Sequence, residues 1–135
     1  LFDVTVLVYF SVILEGGSDS IVSEKSLKLQ TIGFVQNTGQ VLINESGLEG
    51  SICDEFFGKP EATVVCRQLG YRHGIELKLP SPTNVMYIIQ DLACFGNESN
   101  IFNCSTGTEV CPYGAGPAGV FCYNNQGTIS YQYKK

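Results

Sequence analysis

The segment EATVVCRQLGY, residues 61–71, predicts a short amphipathic helix with a cysteine on its apolar side. Its apolar residues recur at the i, i+3, i+4 and i+7 spacing of one buried helix face: Ala62, Val65, Cys66 and Leu69. Pro60 suits the first helical turn, where its missing N–H costs no hydrogen bond, and Gly70 suits the C-terminal end. We therefore predict a helix over residues 60–69, with Cys66 linking it to a sheet.

Five further cysteines flank this helix, and all six lie between Cys53 and Cys122. Their separations do not fit the paired spacing of a zinc knuckle, and His73 is the only histidine in the sequence. An even cysteine count without zinc spacing predicts disulfides, which persist in oxidising compartments, although spacing alone leaves the connectivity open. The predicted location is extracellular, in a secreted protein or in the ectodomain of a membrane protein.

Three N-glycosylation sequons agree with export: Asn44, Asn97 and Asn103. A pattern this short also arises by chance, but three sequons beside six cysteines favour a secreted glycoprotein. Asn103 is the weakest acceptor of the three, because its sequon contains Cys104.

Charge and motifs exclude several classes of function. The 135-residue chain has 13 acidic and 8 basic residues, a formal net charge of −5, which argues against nucleic-acid binding through a broad basic surface. No pattern arranges His73 beside a serine and an acid as a hydrolase triad requires. Residues 114–119 match G-x-G-x-x-G, but Pro117 interrupts them and a strand follows, so they predict turns. We predict no catalytic residues and no nucleotide cofactor.

The two ends differ from the cysteine region. Residues 1–14, LFDVTVLVYFSVIL, are too few to span a bilayer as a helix. They suit the apolar part of a signal peptide, although Asp3 stands where a basic residue is usual, and their period-two apolar pattern suits a β-strand as well. Both alternatives stay open. Residues 15–31 are predicted to be a polar arm, and residues 124–135 a tail or linker.

Strand patterns surround the helix. Alternation around Val41 and Ile43, the turn Ser46-Gly47 and residues 51–53 predict a hairpin that leads into the first cysteine. After a loop rich in glycine and proline, residues 85–92 predict another strand, and residues 118–122 predict the last one. The fold class that follows is α+β.

Five ordered blocks resemble the scavenger receptor cysteine-rich domain of the six-cysteine kind. They are GQVLINESGLEGSICDE (39–55), EATVVCRQLGY (61–71), IIQDLACFGNES (88–99), SNIFNC (99–104) and AGVFC (118–122). The resemblance covers residues 32–123. It implies a small disulfide-rich domain in which a curved, mostly antiparallel sheet cradles one α-helix. It also implies three pairings: Cys53–Cys111, Cys66–Cys122 and Cys94–Cys104.

The resemblance further implies a cation site that takes part in ligand binding. The matching acids are Asp54, Glu55 and Glu98. Three carboxylates from two loops form a hard oxygen site suited to Ca²⁺ or Mg²⁺. This chain departs from the family twice, because Glu55 stands where aspartate is usual and Gly116-Pro117 replaces an acidic pair. The alternative is that these acids are ordinary solvated loop residues.

A second family site would involve Glu61, Asp91 and Asn97, with Gln90 in place of one usual aspartate. A glycan on Asn97 would make that site unavailable. Glu61 equally suits the first turn of the helix, where a carboxylate complements the helix dipole.

The one basic stretch before the tail contains Arg67, Arg72, His73 and Lys78. These residues are candidates for contact with polyanions such as sulfated glycans or lipid head groups. The alternative, which we favour, is a solvated helix end, because scattered cations produce a weak field at physiological screening.

We therefore predict an extracellular ligand-binding module, similar to those of scavenger receptors, that recognises proteins or polyanionic ligands, with Ca²⁺ or Mg²⁺ as the candidate cofactor. The alternative is a non-catalytic accessory domain of a larger secreted enzyme, such as a serine protease or a lysyl-oxidase-like enzyme. Neither hypothesis includes nucleic-acid binding or membrane insertion by the domain. The binding surface is expected on the loops.

Overall fold

The computed structural model describes residues 24–80 and 84–125. These residues form six strands and one α-helix: β1 (Lys25–Ile32), β2 (Val35–Glu45), β3 (Leu48–Ile52), α1 (Lys59–Gln68), β4 (His73–Leu77), β5 (Tyr87–Ile89) and β6 (Gly119–Tyr123). A short 3₁₀ helix spans Ile101–Asn103. The predictions for residues 1–14 and for residues 126–135 of the tail lie outside the described residues.

All six strands belong to one sheet, in the order β4-β6-β2-β3-β5, with β1 paired to β2. Four strand pairs are antiparallel, and β3 pairs with β5 in parallel. The 11-residue β2 is central, because it pairs with β1 along most of its length, with β3 near its end and with β6 through Thr38–Gln40. The result is a curled, mostly antiparallel α+β fold, as the resemblance implied.

The predicted hairpin is confirmed as β2 and β3. Its two-residue turn, Ser46-Gly47, has φ values of 55° and 87°, the left-handed pair that matches the twist of a tight hairpin. The Gly47 N–H donates to Oδ1 of Asn44 at 3.1 Å, which fixes the turn.

The predicted helix is confirmed to within one residue at each end. It begins after Gly58, ends before Gly70, where φ is +102°, and buries Ala62, Val65 and Cys66 as expected. Val64 is buried as well, and Leu69 is half-buried, so the buried face is wider than one stripe.

Gly74 in β4 sets how closely the helix approaches the sheet. A Cβ atom added at Gly74 would lie 2.3 Å from Sγ of Cys66 and 2.7 Å from the carbonyl oxygen of Ala62. Only glycine leaves room for this approach, which brings Cys66 within bonding distance of Cys122, the residue paired with Gly74 across the sheet.

Two strands were not predicted. Lys25–Ile32, most of which we assigned to a polar arm, forms β1, since Leu27 and Leu29 alternate with polar residues and pack against the core. Residues His73–Leu77, which we assigned to a loop and a solvated helix end, form β4. The predicted strand at residues 85–92 shortens to Tyr87–Ile89.

The structure contains the three disulfides that the resemblance implied. Cys53–Cys111 and Cys66–Cys122 close loops of 58 and 56 residues, and Cys94–Cys104 closes one of 10. By the chain-entropy account each long loop contributes about 4 kcal/mol to stability, which a domain with a small core needs. Within the described residues, no helix has the length and apolar character needed to cross a membrane.

Candidate ligand-binding surface

Asp54, the first acid of the predicted cation set, joins two loops. Its backbone N–H donates to the carbonyl oxygen of Gly116 at 2.9 Å, and its Oδ1 accepts the Gly116 N–H at 3.1 Å. Its Oδ2 lies 2.8 Å from Nζ of Lys78, and its side chain is only 9% exposed. Both oxygens of this carboxylate are therefore engaged within the domain.

Lys78, the ion-pair partner of Asp54, belongs to the predicted basic stretch. The hydrogen bond to Asp54 and then the charge of Asp54 raise the pKa of the Lys78 ammonium, with a smaller contribution from Glu55. The side chain of Lys78 is 77% exposed, so it covers Asp54 from the solvent side. Burial, followed by the same Asp54 charge, raises the pKa of the Tyr87 hydroxyl.

Glu98 is held inside the Cys94–Cys104 loop. Its carboxylate accepts the backbone N–H groups of Phe95 and Gly96, both at 2.9 Å. The Phe95 hydrogen bond is the main cause of a lowered pKa at Glu98; the Gly96 bond and the charge of Arg67 act in the same direction, against desolvation. Arg67 also donates to the carbonyl oxygen of Gly96, which ties α1 to this loop.

In the described part of the chain, the three acids of the predicted cation set do not converge into one group of ligand atoms. Among the described residues, the one group of three candidate ligand atoms within 4.8 Å of one another belongs to Cys94, Glu98 and Cys104, and a disulfide joins those two sulfurs. Asp54 and Glu55 are not in that group. The carboxylates of Asp54 and Glu98 are instead occupied by an ammonium and by backbone N–H groups.

Glu61, from the predicted second set, is a buried structural residue. Its side chain accepts the Gly58 N–H with Oε1 and the Cys94 N–H with Oε2, both at 2.8 Å, and the residue is 5% exposed. It caps α1 and fixes the loop at the first cysteine of the Cys94–Cys104 disulfide. Asp91, also in that set, lines a separate cavity, and Asn97 is exposed.

That cavity lies beside the Cys53–Cys111 disulfide and has a volume of about 100 Å³. Three acids and three apolar residues in its lining define what we name the Cys53–Cys111 face: Glu55, Asp91, Glu109, Phe56, Val110 and Pro112. Phe56 is 75% exposed with a φ of 63°, an unusual conformation for a bulky side chain. Val110 is 81% exposed. Sequence patterns missed this face, because its residues come from three separate loops.

The residues of the basic stretch have separate roles. Arg67 binds the Cys94–Cys104 loop and Lys78 binds Asp54. His73 stacks on Tyr123, with 5.2 Å between ring centroids. The Arg72 side chain is exposed. Most of this positive charge therefore stabilises the domain itself.

The sequons occupy different environments. Asn97 and Asn103 are exposed, whereas Asn44 is half-buried and accepts the turn hydrogen bond from Gly47. Glycosylation at all three stays a prediction.

A second cavity of about 300 Å³ is mainly apolar. It is lined by Gln30, Thr31, Ile32, Gln40, Leu79, Pro80 and Pro117. None of these lining residues is titratable.

Residues 31–123 match the scavenger receptor cysteine-rich domain family. The chain is 34% identical over 98 residues to the galectin-3-binding protein of Rattus norvegicus, covering 69% of this chain and 17% of that protein. It is 31% identical over 90 residues to the egg peptide speract receptor of Strongylocentrotus purpuratus (61% and 17%). It is 32% identical over 89 residues to the macrophage receptor MARCO of Mesocricetus auratus (64% and 18%). The chain thus spans about a sixth of these relatives.

Solved structures agree with the fold. The SRCR domain of mouse MARCO in its dimeric form superposes with a TM-score of 0.56 and 25% identity, covering 77% of this chain and 93% of that one. The third SRCR domain of murine neurotrypsin gives a TM-score of 0.63 at 24% identity, covering 76% and 100%.

Proposed function

The chain belongs to the scavenger receptor cysteine-rich domain family, and on that premise we propose that it is an extracellular module that recognises a protein ligand through the Cys53–Cys111 face. Domains of this family are non-catalytic. The three disulfides of this chain are typical of extracellular proteins. Relatives of the chain are named as a galectin-3-binding protein, an egg peptide receptor and a macrophage receptor. These names support binding as the general activity.

The observation that carries the proposal is the exposed apolar side chains of Phe56 and Val110 on disulfide-braced loops. Val110 directly precedes Cys111, and Phe56 lies three residues after Cys53. Exposed apolar side chains that cluster around a cavity mark interaction sites. Because the disulfide holds the two loops together, the loops lose less conformational entropy when a ligand binds.

The charges of the face favour a basic segment of a protein as the ligand. Glu55, Asp91 and Glu109 line the cavity, and no basic residue lines it. A lysine or arginine of the ligand would complement these acids, and apolar neighbours would cover Phe56 and Val110. The three acids would repel a polyanion.

What the whole protein does is a separate proposal, since the chain spans about a sixth of its relatives. In an accessory domain of a secreted enzyme, the same face would bind the substrate protein and the chemistry would occur elsewhere.

Surface plasmon resonance on the immobilised chain tests the proposal. The probes are an array of purified extracellular proteins and, as the polyanion, heparin. We expect a protein ligand whose affinity falls about tenfold or more in Phe56→Ser/Val110→Ser, in line with the loss of central apolar contacts. The matched control is Phe34→Ser/Leu48→Ser, which removes two exposed apolar side chains outside the face. Tight heparin binding without any protein ligand, or equal losses in the two variants, would refute the assignment.

A further inference from the structure

We propose that Lys78 is a built-in cation that takes the place of a divalent metal beside Asp54, so that the native domain neither requires nor binds Ca²⁺ at this position. The inference concerns the acids themselves and does not depend on which ligand the domain recognises.

The geometry at Asp54 carries this inference. The Lys78 ammonium lies 2.8 Å from Oδ2, and the Gly116 N–H occupies Oδ1 at 3.1 Å. Calcium would need its carboxylate ligands at about 2.3–2.6 Å. A metal ion on Oδ2 would therefore stand beside a positive ammonium, in the space that Lys78 fills. Binding would require that Lys78 leave its only ion-pair partner in the described chain.

The sheet places Lys78 at this position. Leu77, the last residue of β4, pairs with Gly119 at the start of β6. Lys78 follows Leu77 directly, and Gly116 lies three residues before Gly119. Gly116 accepts the backbone N–H of Asp54 and donates its own N–H to the Asp54 carboxylate. The ends of two paired strands thus bring the lysine and its carboxylate together. Such an ammonium competes as an intramolecular group, with an effective concentration that we take as about millimolar or higher.

Free calcium has no comparable advantage here. Extracellular calcium modules bind with dissociation constants of about 10⁻⁴–10⁻³ M even when a complete set of oxygen ligands is available. Here the Glu98 carboxylate accepts hydrogen bonds from the backbone N–H groups of Phe95 and Gly96. Of the predicted ligands, this leaves Glu55 as the acid available beside Asp54. A calcium ion held by the Glu55 carboxylate alone would not displace the tethered Lys78 ammonium from Asp54.

Removing the lysine is expected to uncover a calcium response. In Lys78→Met, the nearly buried Asp54 loses its counter-ion, and Asp54 and Glu55 become adjacent acids without a cation. We expect the midpoint of thermal unfolding to fall in EDTA by roughly 2–8 °C and to recover at least half of that loss in about 5 mM Ca²⁺, a concentration above the range of weak extracellular sites. Lys78→Arg keeps the positive charge and is expected to show no response.

The experiment measures unfolding midpoints of the full chain by circular dichroism, in EDTA and in Ca²⁺, without any ligand. Wild type and Lys59→Met, which removes an exposed lysine of α1, are expected to show equal midpoints in the two buffers. A Ca²⁺-dependent rise in the wild type that is lost in Asp54→Asn would overturn the inference. So would a Lys78→Met variant that is as insensitive to Ca²⁺ as the wild type. Because no ligand enters the assay, its failure is separate from failure of the proposed function.

Discussion

Replacing Glu61 by glutamine is expected to lower the free energy of unfolding by about 2–3 kcal/mol. The Glu61 carboxylate accepts one N–H with each oxygen, from Gly58 and from Cys94, both at 2.8 Å, at a site that is 5% exposed. Glutamine offers one oxygen, so one N–H would face an amide NH₂ group. A hydrogen bond to a charged acceptor is worth about 1.5–3 kcal/mol. The remaining hydrogen bond is also weakened, because its acceptor is no longer charged. A neutral amide costs less to bury than a carboxylate, and this difference offsets part of that second loss.

The assay is equilibrium unfolding in urea with the disulfides intact. The chain has no tryptophan, so the transition is followed by far-ultraviolet circular dichroism. Glu109→Gln is the matched control, because Glu109 is exposed and its replacement should change stability by about 0.5 kcal/mol or less. Equal stabilities of Glu61→Gln and Glu109→Gln would refute the structural role of Glu61. A stabilisation by Ca²⁺ that Glu61→Gln abolishes would show that Glu61 is a metal ligand instead.

Two further predictions concern Gly74 and Glu98. Gly74→Ala is expected to destabilise the domain by about 1–3 kcal/mol in the same urea assay, because the added Cβ would lie 2.3 Å from Sγ of Cys66. The control is Gly58→Ala, in which the nearest contact of the added Cβ is 3.8 Å. Equal destabilisation by the two substitutions would contradict the packing argument. Glu98→Gln should lower the midpoint of thermal unfolding at pH 7. The difference in midpoint from the wild type should shrink as the pH falls below about 4, because the lowered pKa of Glu98 means that its carboxylate stabilises the folded state only while it is ionised. A difference in midpoint that is independent of pH would contradict this role.

Local sequence patterns predicted the elements whose signals are contained in a few residues. The α1 helix has its apolar spacing, Pro60 and Gly70 within one short segment, and the β2–β3 hairpin has its turn in Ser46-Gly47. Strand β4 has no such signal. Its identity depends on pairing with β6 and on the contact of Gly74 with Cys66, residues distant in sequence. No local pattern contains those contacts.

The limits of prediction at the acids have the same physical origin. A carboxylate is a possible metal ligand, helix cap or ion-pair partner, and the residues that distinguish these roles lie elsewhere in the chain. For Glu61 the deciding partner is the Cys94 N–H, 33 residues away, and for Asp54 it is Lys78, 24 residues away. The family resemblance supplied the position of each acid but not the state of its oxygens. Lys78 itself was assigned to a solvated basic stretch, since its partner Asp54 is distant in sequence.

The net charge of −5 takes on a more specific meaning once these pairs are known. Lys25 and Lys28 of β1 lie within 4 Å of Glu45 and Glu49, and Lys78 neutralises Asp54. Three of the eight basic residues are thus paired with acids, whereas the cavity of the Cys53–Cys111 face is lined by three acids and no basic residue. The lining of this cavity is therefore acidic. A ligand that approaches the domain there meets negative charge beside exposed apolar side chains, which is the physical basis for expecting a basic protein segment in place of a polyanion.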